Sequence, residues 1–162
     1  MEIMEGLNNS ADDFEAVLQT IENTITNTSL SDTRDFYLTI LYRLDSFGYE
    51  FDEDCDGWLI AYCIQIVESK IKNQCFTSDI PDGLRAAAVD MVCGEFLFGK
   101  KQSGKLELED LDFDGIVSSI KEGDSQVNFD GSETDEKKIE SLISYMMNRG
   151  KEDYACFRRI RW

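Results

Sequence analysis

Apolar residues recur at helical spacing over most of the chain. In DDFEAVLQTIENTIT, residues 12–26, Phe14, Val17, Leu18, Ile21 and Ile25 share one face, and Asp12 and Asp13 suit the positive end of a helix dipole. After the polar stretch NTSLSDT, a second amphipathic helix carries Phe36, Tyr37, Ile40, Leu41, Leu44 and Phe47 and stops at Gly48. A third is predicted from about Asp56 to Asn73, with Leu59, Tyr62, Cys63, Ile66, Val67 and Ile71 as its apolar stripe. A fourth starts in TSDIPDGL, where Pro81 fits a first turn that has no use for the N–H it lacks. Leu84, Ala87, Ala88, Met91, Val92 and Phe96 then recur until Gly99 or Gly104 ends it. In SETDEKKIESLISYMMNRG, Ser132 reads as a cap with Asp135 three residues on, and Gly150 closes the helix. Its inward face is Ile139, Leu142, Ile143, Met146 and Met147.

Two segments break the helical period. Residues 116–120 and 125–129 read as short strands joined by KEGD, a hairpin that includes Ile120, Gly123, Asp124, Val127 and Phe129, with Gly123 free to take a positive φ. A lone two-stranded hairpin is marginal in water, so this one calls for a neighbour. In KEDYACFRRIRW, alternation places Tyr154, Cys156, Arg158 and Ile160 on one side of an extended arm and Ala155, Phe157, Arg159 and Arg161 on the other. The expected fold is therefore mainly α: a helical bundle with one small β-hairpin and an extended C-terminal arm. Residues 1–33 form an N-terminal helix or extension, 34–150 a helical domain with the hairpin at about 116–129, and 151–162 the arm. Helices 56–73, 82–98 and 134–149 are expected to form the core.

Charge changes this picture more than size does. With 33 acidic residues against 16 basic ones, the net charge is −17, which opposes general nucleic-acid binding because each phosphate contact needs a cation. The acidity serves solubility, or a surface that must stay close to DNA without sticking to it. The chain has no histidine, which removes histidine bases, Ser-His and Cys-His pairs and histidine-held metals together. Cys55, Cys63, Cys75, Cys93 and Cys156 form no CxxC pair, and no basic-then-apolar leader precedes them. They are expected to be reduced, cytosolic and mostly packed in apolar surroundings. No apolar run approaches the roughly 18 residues of a membrane span.

In FDEDCDGWLIAYC, Asp52, Asp54, Asp56 and Gly57 match positions of a calcium loop, but Cys63 stands where the closing bidentate glutamate belongs. An acidic N-cap for the third helix, through Asp54 or Asp56, is the simpler reading. GKKQSGK lacks the spacing and the Ser/Thr of a phosphate loop, since Leu106 follows Lys105. Glu107/Glu109 and Asp110/Asp112 read as a solvated acidic face, and Met146-Met147 as core. No catalytic residue, metal or cofactor is expected. The arm is different, because Tyr154, Phe157, Arg158, Arg159, Ile160, Arg161 and Trp162 combine the Trp, Tyr and Arg types enriched at interface hot spots.

The helix opened by DIPDGLRAAAVDMVCGEF, the GKKQSGKL connection, the hairpin GIVSSIKEGDSQVNF, a further helix and the closing FRRIRW stand in an order that resembles the head–tail connector (head-completion adaptor) family of long-tailed bacteriophages and related prophages. The resemblance covers about residues 56–162, while the part through about Thr33 has no counterpart. It implies a non-catalytic protein, made in the host bacterial cytoplasm and built into the virion as a ring of about a dozen copies beneath the portal protein. The ring would extend the DNA channel, with DNA passing through unbound, and would offer a surface to a tail-side stopper or completion protein. Two other classes stay open: an acidic DNA mimic that inhibits a DNA-binding enzyme, and a calcium-binding module at residues 52–57. A carboxylate enzyme is more remote.

Overall fold

The computed structural model describes residues 9–25, 33–106, 111–112 and 134–160. Helix α1, Ala11–Thr24, opens with a reciprocal cap: the Asp13 N–H donates to the Ser10 hydroxyl while the Ser10 N–H donates to the Asp13 carboxylate. Helix α2 spans Thr33–Asp45, α3 Asp56–Cys75, α4 Arg85–Gln102 and α5 Asp135–Asn148; a 3-10 turn, Asp82–Leu84, leads into α4 behind Pro81. A single helical turn, Tyr154–Phe157, follows α5. No strand occurs among the described residues. The expected hairpin residues Ile120, Gly123, Asp124, Val127 and Phe129, with the remainder of 113–133, lie outside the described residues, as do Arg161 and Trp162.

One continuous core joins the helices. Phe14, Val17, Leu18 and Ile21 of α1 are buried in the same cluster as Ile40, Leu41 and Leu44 of α2, Ile60, Ile64 and Val67 of α3, Met91, Val92 and Phe96 of α4, and Ile139, Leu142 and Met146 of α5. The stretch before α1 is tied in as well. The buried Asn9 amide donates to Asp45 at 2.6 Å and to the Tyr49 carbonyl at 2.8 Å, and its oxygen accepts the Phe51 N–H at 2.8 Å.

Helix α3 is rotated from the expected stripe. It lies between α1 and α4 and buries two faces, so Ile60, Ala61, Ile64 and Cys75 join Cys63, Val67 and Ile71 inside. Tyr62, expected inside, is exposed together with Trp58. A small residue permits the approach to α1, where a Cβ on Gly57 would lie 2.6 Å from the Thr20 Cβ. Gly94 does the same where α4 meets α5, since a Cβ there would lie 2.9 Å from the Met147 nitrogen. Two further corrections concern helix ends. Thr134, not Ser132, is the N-cap position of α5, and α3 runs two residues past Asn73 to Cys75. Gly48 and Gly150, at φ 83° and 74°, end α2 and α5 as expected, in the left-handed region that a side chain disfavours.

Two buried carboxylates tie the helices by charge. Asp90 of α4 accepts from Arg43 of α2 at 3.0 Å and pairs with Arg149 just after α5. Asp56 at the start of α3 is fully buried and pairs with Lys100 near the end of α4.

Candidate functional site

The arm is the strongest candidate in the sequence, and its described part is seated on the bundle. Residues 154–157 are a helical turn rather than extended chain, so the alternation expected from Tyr154 onward does not hold. Tyr154 is buried at 5% exposure, its hydroxyl pointing to the Met91 sulfur at 3.3 Å, while the Cys75 thiol points to the Tyr154 carbonyl at 3.9 Å. A buried phenol with a polar partner needs a fixed depth and direction, which the helical turn supplies and an extended strand would not.

Beyond the turn, the chain extends at Arg158, φ −64° and ψ 128°, and crosses the end of α3. The Arg159 N–H donates to the Cys75 carbonyl at 2.9 Å, and Arg158 Nε donates to the Gln74 carbonyl at 3.1 Å. The last carbonyls of a helix have no partner within it, and they form its negative end. The arm therefore caps α3 with two donors, the Arg159 backbone N–H and the Arg158 guanidinium. The second gives a local reason for a basic residue at Arg158 that does not involve DNA.

Phe157 is half-buried against Gly83 and borders a cleft of about 330 Å³. Residues 77–82 and Arg159 line the remainder of it. The side chains of Arg158, Arg159 and Ile160 are exposed, Ile160 at 73%. Among the interface candidates, the structure thus separates an anchored group, Tyr154 and Phe157, from an outward group, Arg159 and Ile160, with Arg158 exposed but bonded to the Gln74 carbonyl. The sequence carried the anchors' aromatic character. It held no signal for the Gln74 and Cys75 carbonyls, which matter only once α3 ends beside the arm.

The Asp52–Gly57 loop has a different organisation from a calcium loop. The Asp56 carboxylate accepts the Tyr49 hydroxyl at 2.8 Å and the Asp52 N–H at 2.9 Å, and Lys100 takes its other oxygen. Asp52 accepts the Asp54 N–H at 3.1 Å and the Cys55 thiol at 3.0 Å, which hold its carboxyl below the usual range. The expected helix cap by Asp54 or Asp56 is corrected too. Cys55 occupies the cap position without a side-chain cap bond, and Asp56 serves the preceding loop. Gly57 is explained by its contact with Thr20 rather than by a metal-loop turn. Among the described residues, no cluster of three or more potential metal ligands is found.

Cys63, Cys75 and Cys93 are buried as expected, Cys55 is partly buried and Cys156 is exposed. Burial pushes the Cys63 thiol up to about 12. A protonated thiol is a poor nucleophile, so this interior cysteine is not an activated one. Among the described residues, no helix is long and apolar enough to cross a membrane. Comparison of the chain with protein-family models, with curated proteins and with solved structures gives no match.

Proposed function

We propose that the chain is a non-catalytic structural adaptor of the phage head–tail junction. In this reading about a dozen copies form a ring beneath the portal, and the outward part of the arm docks on a protein partner. The observation that supports it most is the arm's division of labour. Tyr154 is fixed on α4, Phe157 on the turn before it, and the Arg159 N–H and the Arg158 guanidinium on the end of α3, while the side chains of Arg159 and Ile160 face solvent. An anchored arm holds its exposed residues at low entropic cost, which favours binding. The buried carboxylates Asp56 and Asp90 each face a cation, which gives these two a structural role. The net charge of −17 suits a channel wall that must repel phosphate.

The decisive experiment mixes the protein with the portal protein of the same genome and images the complex by electron microscopy, for the full chain and for a chain lacking residues 160–162. The full chain is expected to sit as a ring on the portal, and the shortened chain to stay folded and unbound. A shortened chain that docks normally overturns the arm's role. A full chain that does not bind its portal overturns the adaptor reading.

A further inference from the structure

Two surface patches of opposite character are left over by the fold. One is a groove of about 690 Å³ formed by α3, α4, α5 and the turn that follows α5. Phe98, Ile143 and Met147 supply its apolar part, and Phe98 is 42% exposed. Lys70, Lys101 and Lys151 stand around it, each from a different element. Glu136 and Glu140 also line it, so cations outnumber carboxylates here, in a chain where acidic residues outnumber basic ones 33 to 16. Lys101 pairs with Glu140 at 2.5 Å, Lys70 reaches Glu95 at 3.9 Å, and Lys151 bonds the neutral amide of Asn148. Both ion pairs are partly exposed rather than sealed in the core, so a partner carboxylate can compete for the lysines.

The second patch is aromatic and acidic. Trp58 and Tyr62, one turn apart on α3, are 61% and 60% exposed. The loop just before α3 exposes Asp52, Glu53 and Asp54. Trp58 and Lys70 are twelve residues apart on one helix, about 18 Å along its axis, so neither patch can fold onto the other within a chain.

We infer that the two patches bind each other between copies: Trp58 and Tyr62 of one copy enter the Phe98/Met147 groove of the next, and Asp52–Asp54 meet its three lysines. The occupant follows from the chemistry. An aromatic side chain is a strong interface anchor, methionine adapts its shape to such a guest, and the groove's three lysines offer the acidic loop at 52–54 the cations it lacks. Two different patches on one chain make a head-to-tail contact, which closes into rings or runs into filaments. The inference rests on the ring reading above for the expectation that copies meet.

Equal amounts of isotopically heavy and light full-length protein, concentrated and treated with a zero-length carbodiimide cross-linker, test this. Mixed heavy–light links between Lys70, Lys101 or Lys151 and Asp52, Glu53 or Asp54 are expected. They should fall at least about tenfold in a Trp58→Ala/Tyr62→Ala variant and in a Phe98→Ala/Met147→Ala variant, which keep every linkable amine and carboxylate, each checked for native helicity. A mixture of the two variants keeps one intact patch of each kind and should restore linked pairs without longer chains. Absence of mixed links in the unaltered protein, or links that persist in both variants, overturns the inference. Portal binding without these links leaves the adaptor reading standing and this contact refuted; links without portal binding do the reverse.

Discussion

Phe157 rests on Gly83: a Cβ at Gly83 would lie 2.4 Å from the Phe157 ring carbon Cζ, inside any real contact distance. The turn before α4 thus has a bare backbone where the arm presses down. Gly83 does not have positive φ, so alanine fits its backbone and only the ring is displaced. Gly83→Ala is therefore expected to lift the arm and to cost about 1–3 kcal/mol, as overpacking does. Trypsin cleavage after Arg158 and Arg159 should accelerate while the helical circular dichroism stays. An unchanged cleavage rate would show that this contact does not hold the arm.

The end of α3 stores strain one residue from the arm's anchor. Phe76 is left-handed at φ 54°, its N–H bonded to the Lys72 carbonyl, and its ring is 54% exposed. A left-handed conformation costs a residue with a Cβ about 1–2 kcal/mol, and an exposed ring returns little packing. Phe76→Gly is expected to raise the urea midpoint, with a gain of up to about 1 kcal/mol after glycine's own entropic cost. A lowered midpoint would show that the exposed ring contributes packing that outweighs the strain.

The Asp56–Lys100 pair gives the largest expected loss. Both side chains are buried, and Lys100 also lies 5.8 Å from the Phe96 ring centre and 5.9 Å from that of Tyr49. Lys100→Met leaves a carboxylate in the interior with only neutral donors, which costs about 3–5 kcal/mol. Adding Asp56→Leu should recover part of this, because the stranded charge is then gone. Urea unfolding of the two single variants and the double variant reads the coupling; additive losses would mean that the pair does not interact.

The same pair predicts the outcome of calcium titration. A calcium ion at residues 52–57 would have to displace Lys100 from Asp56 and break the bonds from Tyr49 and Asp52. No closing carboxylate compensates, since Cys63 is at that position and is buried in α3. Calorimetry is expected to show no heat of micromolar binding. Saturable binding in that range would restore the calcium-module reading.

The sequence disclosed what depends on local pattern and withheld what depends on neighbours. The apolar period located α1, α2 and α5, because each buries a stripe set by its own spacing; it located α4 but not the extent of its burial, since residues 87–94 are buried without a break. It misassigned Tyr62, because α3 is covered by α1 on one side and α4 on the other, and small residues such as Gly57 and Ala61 are as much part of that interior as leucine is. The acidic loop read as a helix cap, with a calcium loop as the alternative, because the true partner of Asp56, Lys100, lies far along the chain and no spacing rule connects them. The arm's aromatic and basic composition was legible. That its arginines sit at the end of α3 was not, since alternation alone favours an extended strand over the helical turn that Tyr154 needs to reach Met91.

Alkaline pH should destabilise the protein through groups that the fold keeps protonated. Burial raises Cys63 from its ordinary 9.0 to about 12, raises the Cys93 and Cys75 thiols, and with Asp56 nearby raises the Tyr49 phenol far above its usual range. In the unfolded chain these groups release protons at their ordinary values, so above pH 9 the folded state holds more protons than the unfolded one. Stability is then lost as pH rises, by up to about 1.4 kcal/mol per pH unit for each such group. For Cys63 the window runs from 9.0 to about 12, and below it this contribution is flat. The carboxyls of Asp13 and Asp52, which the fold lowers, are ionised throughout and add no slope there. Urea unfolding from pH 7 to 10.5 should show the decline, and Cys63→Ala should make it shallower, although that variant starts from a lower stability. An equal slope in the variant would place the alkaline sensitivity elsewhere, in the repulsion of a chain that becomes still more negative as its lysines lose their charge.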